Sequence, residues 1–189
     1  MAFDRQKILK GVKLILEGVG EDLHREGLVR TPERIVEYYE EVLAGYSEDP
    51  ATELRKYTTS NKDEMIILRD ISFFSLCEHH MLPFFGRAHI AYIPQNDKVA
   101  GFSNMVRVIE ILSQRLQVQE RLTTQIADSI IEAIQCKGVL IVVEAEHLCL
   151  TMRGIKKPGS KIVTSAIRGM MRKTATRIEA LTLLGRVGL

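Results

Sequence analysis

Apolar residues in the first part of the chain recur at helical spacing. Ile8, Val12, Ile15 and Val19 fall three or four apart, which predicts an amphipathic helix ended by Gly18 and Gly20. Downstream, Thr31 is suited to cap a second helix and Pro32 to its first position, with Ile35, Tyr39, Val42 and Leu43 as its stripe and Gly45 at its end. Polar and turn-forming residues then dominate 46–64, a connector with room for one short helix. At Met65 the period changes. Residues 65–77 read as a long strand, and 86–94 (GRAHIAYIP) alternate as its hairpin partner after a turn at Leu82-Pro83. Two helices follow, one marked by Met105, Val108, Ile109, Leu112 and Leu116, the other by Leu122, Ile126, Ile130 and Ile134. Residues 138–154 and 161–169 return to a strand pattern, and 170–184 close with a helix. Hairpins with helices on one face predict an α+β fold, with a helical N-terminal region over 1–60 and the main domain over 61–189.

Composition narrows the class without touching the chemistry. A chain of 189 residues can bury a real core, and 26 basic against 24 acidic residues leave a formal charge of only +2. That balance gives no support to a nucleic-acid or membrane-surface protein. No apolar run approaches a membrane span, and MAFDRQKILKG lacks the apolar core of a signal peptide. Three cysteines are too few for a secreted disulfide scaffold. The expectation is a soluble cytoplasmic protein.

Candidate chemistry gathers at two places. Cys77-Glu78-His79-His80 lies at the end of the long strand, and a turn there can fold Cys77 and His80 around one ion. His147-Leu148-Cys149, read as strand, would project His147 and Cys149 from the same face. Two thiolates and one imidazole make a Cys₂His set with a fourth position open, the pattern of a catalytic zinc site, although such donors also admit ferrous iron. An open position matters because zinc lowers the pKa of its bound water to about 7. Each motif alone is equally compatible with a buried thiol beside a surface histidine, and Cys77 with Cys149 could in principle form a disulfide. If Cys77, His80 and Cys149 hold a metal, His79 and His147 remain beside it for proton transfer near neutral pH. Cys136 reads as a packed thiol, and His24 and His89 as structural or solvated residues.

CEHHMLPFFGRAHIAYIP, GFSNMVRVIEILSQRLQVQERLTTQI and VEAEHLCLTMRGI, in this order and spacing, strongly resemble the GTP cyclohydrolase I family, and TPERIVEYYEEVLAGY is similar to its N-terminal region. The resemblance covers the chain from about residue 28. It implies the tunnelling fold, an antiparallel four-stranded sheet with two helices inserted between the hairpins. It implies a homodecamer with active sites at subunit interfaces, making 61–189 the catalytic domain. The implied reaction converts GTP and water into formate and 7,8-dihydroneopterin triphosphate, which feeds tetrahydrofolate or another pterin.

Carried over residue by residue, the resemblance makes Cys77, His80 and Cys149 zinc ligands and His79 and His147 catalytic histidines. The water held by zinc would attack guanine C8 while a histidine protonates the ring nitrogen. Glu120, preceded by Gln119, matches the carboxylate that reads the two N–H donors of the guanine edge, so both residues are expected at the substrate. On its own Glu120 is an acid at a helix N-terminus. Arg34, Arg107 and Arg153 match positions that hold the triphosphate, with Arg34 reaching in from a neighbouring subunit. Ser103 matches a serine near the ribose and phosphates, and on spacing alone caps a helix starting near Asn104. There is one departure: the family's Gly-Leu-Ser-Lys is Gly101-Phe102-Ser103-Asn104 here, which removes one phosphate-binding cation. Lys98 or the basic segment with Arg168, Arg172, Lys173 and Arg177 could compensate. The competing functions are a diverged paralogue acting on another purine nucleotide, and a non-catalytic nucleotide- or zinc-binding protein.

Overall fold

The computed structural model describes residues 3–58, 64–96 and 98–185. Helices α1 (Arg5–Gly18) and α2 (Thr31–Val42) pack on each other, followed by a 3₁₀ turn at Ala44–Ser47 and a single turn α3 (Pro50–Glu53). Strands β1 (Lys56–Thr58), β2 (Ile66–Cys77), β3 (Pro83–Ile93) and β4 (Lys98–Ala100) lead into α4 (Phe102–Ser113), β5 (Leu116–Gln117) and α5 (Gln119–Ile134). β6 (Gly138–His147), the helical turn α6 (Leu148–Thr151), β7 (Ile162–Gly169), a 3₁₀ turn at Met170–Arg172 and α7 (Thr174–Leu183) complete the order.

The expected four-stranded antiparallel sheet is present as β2-β3-β6-β7, with α4 and α5 between its two hairpins. The two-residue β5 adds a parallel fifth strand beside the end of β2, and β1 pairs with β4 in a small separate sheet. Val139, Ile141, Val143 and Ala145 on β6 share a buried cluster with Met105, Ile109, Leu122, Ile126 and Ile130 of α4 and α5. The alternate positions Leu140 and Val142 join Met171, Ala180 and Leu184 on the opposite face. A strand covered on both faces explains why GVLIVV is a continuous apolar run. Each fully buried aliphatic side chain contributes about 1.5–3 kcal/mol.

Several sequence expectations need correction. Thr31 is not a cap: its N–H already donates to Leu28 O, so it is the first helical residue, and Arg30 stands at the N-cap. α2 ends at Val42, and Gly45 belongs to the following 3₁₀ turn. There an added Cβ would lie 1.9 Å from Ile111 O. Leu116 is not helical. α4 stops at Ser113, and Arg115 reaches back to the carbonyls of Gly45 and Glu48 at 2.9 Å, leaving Leu116 to pair with Leu76. α4 starts one residue before Ser103, with Gly101 at its N-cap. The connector holds β1 as well as the short helix, while its stretch 59–63 lies outside the described residues. Pro83 opens β3, so the turn falls earlier, at 78–80.

β2 carries one extra residue between Leu68 and Ile71, a bulge in which Asp70 takes φ +58°. The buried His89 ring accepts from Asp70 N–H at 3.2 Å, and Arg87 donates to Asp70 O at 3.0 Å. His89 therefore has a structural task, while His24 is exposed. Cys136 is buried, and burial pushes its thiol up to about 11. A more central constraint lies at Gly86, between Phe73 and Ala145 in the sheet, where a Cβ would stand 1.9 Å from Glu144 O. Gly86→Ala should cost about 3 kcal/mol and lower the calorimetric melting temperature by roughly 6–12 °C.

Candidate active site

The two halves of the site meet where β2 and β6 end on either side of β3. Cys77 closes β2, its N–H donating to Leu82 O at 2.9 Å while its carbonyl accepts from Met81 N–H at 2.8 Å. Met81 takes φ +54°, which lets the chain reverse within the Glu78–His80 turn. Glu78 N–H donates to Gln117 O at 3.0 Å, tying the turn to β5. Arg121 of α5 grips the Glu78 carboxylate with both arms, at 2.5 and 3.0 Å, and holds its pKa below the usual carboxylate range.

Cys149 comes from the other hairpin, but not from a strand. β6 ends at His147, and Leu148–Thr151 form one helical turn. The shared-face argument for His147 and Cys149 therefore fails. The helical turn instead swings Cys149 toward Cys77 and His80, and the three donor atoms lie within 4.8 Å of one another. No disulfide joins them, and all three cysteines are free thiols.

The donor set fits a metal ion. Ligands on a tetrahedral zinc stand about 3.6–3.8 Å apart, so only small adjustments separate this cluster from coordination. Burial, and then the neighbouring Cys77, pushes the Cys149 thiol above its ordinary value. A cation would offset that charge penalty and favour the thiolates. Cys77, His80 and Cys149 are the residues that could hold it.

Of the two histidines expected to be catalytic, His79 borders the cluster and His147 closes β6 two residues before Cys149. His79 Nδ1 lies 3.7 Å from Cys77 Sγ, with its side chain exposed. His147 is buried, stacked on Phe84 with ring centroids 4.6 Å apart and planes 5° from parallel. Its Nε2 is hydrogen-bonded to Gln119 Oε1 at 2.8 Å. Burial lowers the His147 pKa, and the Glu120 carboxylate opposes that effect. Arg153 lies 2.7 Å from His80 Nε2, at the rim of the cluster.

The other expected substrate residues sit on separate elements. Glu120 is exposed in the first turn of α5, and Arg34 is exposed on α2. Ser103 is exposed in the first turn of α4, whereas Asn104 Oδ1 folds back over Gly101. Arg107 is engaged by Glu48 and, at 3.2 Å, by Glu110. Among the candidate compensating cations, Arg168 is bound to Asp128 at 2.6 Å. Sequence reasoning missed Phe84 and the hydroxyls of Thr123 and Thr164, which surround the Gln119–His147 pair. Only Thr123, four residues from Gln119 on one helix, left a readable spacing.

The profile of the GTP cyclohydrolase I family matches residues 8–185. The GTP cyclohydrolase 1 of Carboxydothermus hydrogenoformans is 54% identical over 183 residues, spanning 96% of this chain and 95% of the relative. That of Pelotomaculum thermopropionicum is also 54% identical, over 96% and 97% of the two chains. That of Geobacillus kaustophilus is 52% identical over 92% and 93%. Among solved structures, the apo form of the archaeosine synthase QueF-like protein aligns with 58% of the chain at 15% identity and a TM-score of 0.44. With the profile spanning nearly its whole length and full-length relatives above half identity, the chain belongs to the GTP cyclohydrolase I family.

Proposed function

We propose that this protein opens the imidazole ring of GTP by hydrolysis, releasing formate and forming 7,8-dihydroneopterin triphosphate. The observation that carries this reading is the convergence of Cys77, His80 and Cys149 within 4.8 Å, with His79 against Cys77, in a chain of this family. A structural metal site has no need of His79 and His147.

Cys77, His80 and Cys149 would hold zinc. When bound, zinc supplies Lewis-acid activation of water for attack at guanine C8. The chain's own residues do the rest. Glu120 accepts the two N–H groups on the guanine edge, which orients C8 toward the metal site. His147, neutral in its buried setting, and the exposed His79 move protons to and from the ring nitrogens as the ring opens and formate leaves. Ser103, Arg34, Arg107 and Arg153 hold ribose and triphosphate, Arg153 from beside His80.

A single chain does not complete this site, and we read the working form as a homo-oligomer, by family analogy a decamer, with Arg34 contributed by a neighbouring subunit. In support, α1 buries none of its residues, and Leu14, Ile15 and Val19 form an exposed apolar face. A cytoplasmic location fits the absence, among the described residues, of any helix long and apolar enough to cross a membrane. On this reading 1–60 serves assembly and 61–189 carries catalysis.

Incubating the metal-loaded protein with GTP should release formate and a product that fluoresces as a pterin after oxidation. Conversion of GDP or GMP in preference to GTP would instead favour the diverged paralogue. Asn104 bears on that choice, because it removes a cation where Arg107 is already engaged by two carboxylates. Asn104→Lys should lower the KM for GTP roughly tenfold, the equivalent of about 1.4 kcal/mol from one charge-assisted hydrogen bond. Steady-state kinetics on the two proteins checks this.

A further inference from the structure

Gln119 was expected at the substrate, yet its side chain is 1% exposed and its amide is committed inside the protein. Nε2 lies 3.0 Å from both Val143 O and Ile162 O and 3.1 Å from Thr164 Oγ1. Two backbone carbonyls can only accept, so the atom facing them must be the amide nitrogen. A flipped amide would set oxygen against oxygen at both contacts. The surrounding hydroxyls run in the same sense. Thr123 Oγ1 donates to Gln119 O at 2.7 Å, which spends its proton. The 2.6 Å contact between Thr123 and Thr164 must therefore be donated by Thr164, so Thr164 Oγ1 turns a lone pair toward the Gln119 amide, whose two hydrogens are shared among three acceptors. Every hydrogen bond around the amide has one allowed direction.

The consequence falls on His147. Gln119 Oε1, 2.8 Å from His147 Nε2, can only accept, so Nε2 carries the proton and Nδ1 of the neutral ring keeps its lone pair. Phe84 stacks on one face of the ring, and a ring turned over about Cβ–Cγ would put Cε1 where Nε2 now meets Gln119 and lose that hydrogen bond. We infer that Gln119 is a positioning residue that fixes His147 as the Nε2–H tautomer and so reserves Nδ1 as its proton acceptor, with Val143 O, Ile162 O and Thr164 setting the direction. This rests on the reading of His147 as a catalytic histidine.

The test separates the inference from that reading. In protein labelled with ¹⁵N-histidine, the His147 ring signals are identified as those missing from His147→Asn. The wild-type ring should show a protonated Nε2 and a bare Nδ1. Gln119→Met, similar in size but unable to accept strongly, should give a mixture of tautomers, with metal content unchanged, kcat reduced about 10²-fold or more and KM for GTP within about threefold of wild type. Gln119→Glu keeps an acceptor toward His147 and, as a neutral carboxyl, a donor toward one carbonyl. It should retain the Nε2–H signal and recover at least tenfold in kcat over Gln119→Met. A wild-type ring protonated on Nδ1 would overturn the inference, as would an unchanged tautomer in Gln119→Met. A rise in KM at constant kcat would return Gln119 to the substrate. Loss of formate release from wild-type protein with an Nε2–H ring would reject the catalytic reading and leave the tautomer assignment standing.

Discussion

Cys149→Ser is expected to strip the protein of its metal and to end formate release. Serine keeps the size of the side chain but replaces a soft thiolate with a hydroxyl that stays protonated at neutral pH. Only Cys77 and His80 then remain of the three converging donors. Two protein ligands do not hold zinc against dialysis as three do. Metal bound per chain should fall from about one to near zero, and turnover by about 10³-fold or more, since Lewis-acid activation supplies several kcal/mol of the barrier reduction. The fold should survive, because Cys149 lies on a partly exposed helical turn rather than in the sheet. Elemental analysis of dialysed protein beside a melting curve checks both halves. Full metal occupancy in Cys149→Ser would mean that the ion is held elsewhere.

The second large effect has the opposite signature. His79→Ala should keep its metal and lose about 10²–10⁴-fold in kcat, the range supplied by a positioned acid or base. His79 sits between the two donors of the turn, close enough to Cys77 for contact at 3.7 Å, yet its exposed ring supports no part of the core. Its loss should leave the melting temperature within about 2 °C, as for other surface positions. A His79→Ala protein that released its metal would make His79 a ligand and reverse the roles of the two adjacent histidines. Together the variants separate holding the ion from moving protons beside it.

Much of this site was visible as sequence because Cys77, Glu78, His79 and His80 are consecutive. No folding is needed to know that they lie together. The long strand, its hairpin partner and the α4 and α5 stripes were legible too, since each runs long enough for its period to show. What stayed hidden was short or relational. β1 and β5 span three and two residues, too few for any alternation to register. His147-Leu148-Cys149-Leu150 reads equally as strand or as one helical turn, and only the structure shows that the strand stops at His147. Gln119 gave no sign of its task, because its partners arrive from β6 and β7 through tertiary packing alone. The stripe of α1 shows as a pattern, but only Ile8 and Val12 of it are half-buried, while Ile15 and Val19 stay exposed.

The most direct measurement uses GTP carrying ¹³C at C8, with protein that has been stripped of metal and then reloaded with zinc. The expected result is labelled formate and dihydroneopterin triphosphate in equal amounts from the reloaded protein, and neither from the stripped one. No labelled formate at any concentration of reloaded protein, or equal release with and without metal, would contradict the account.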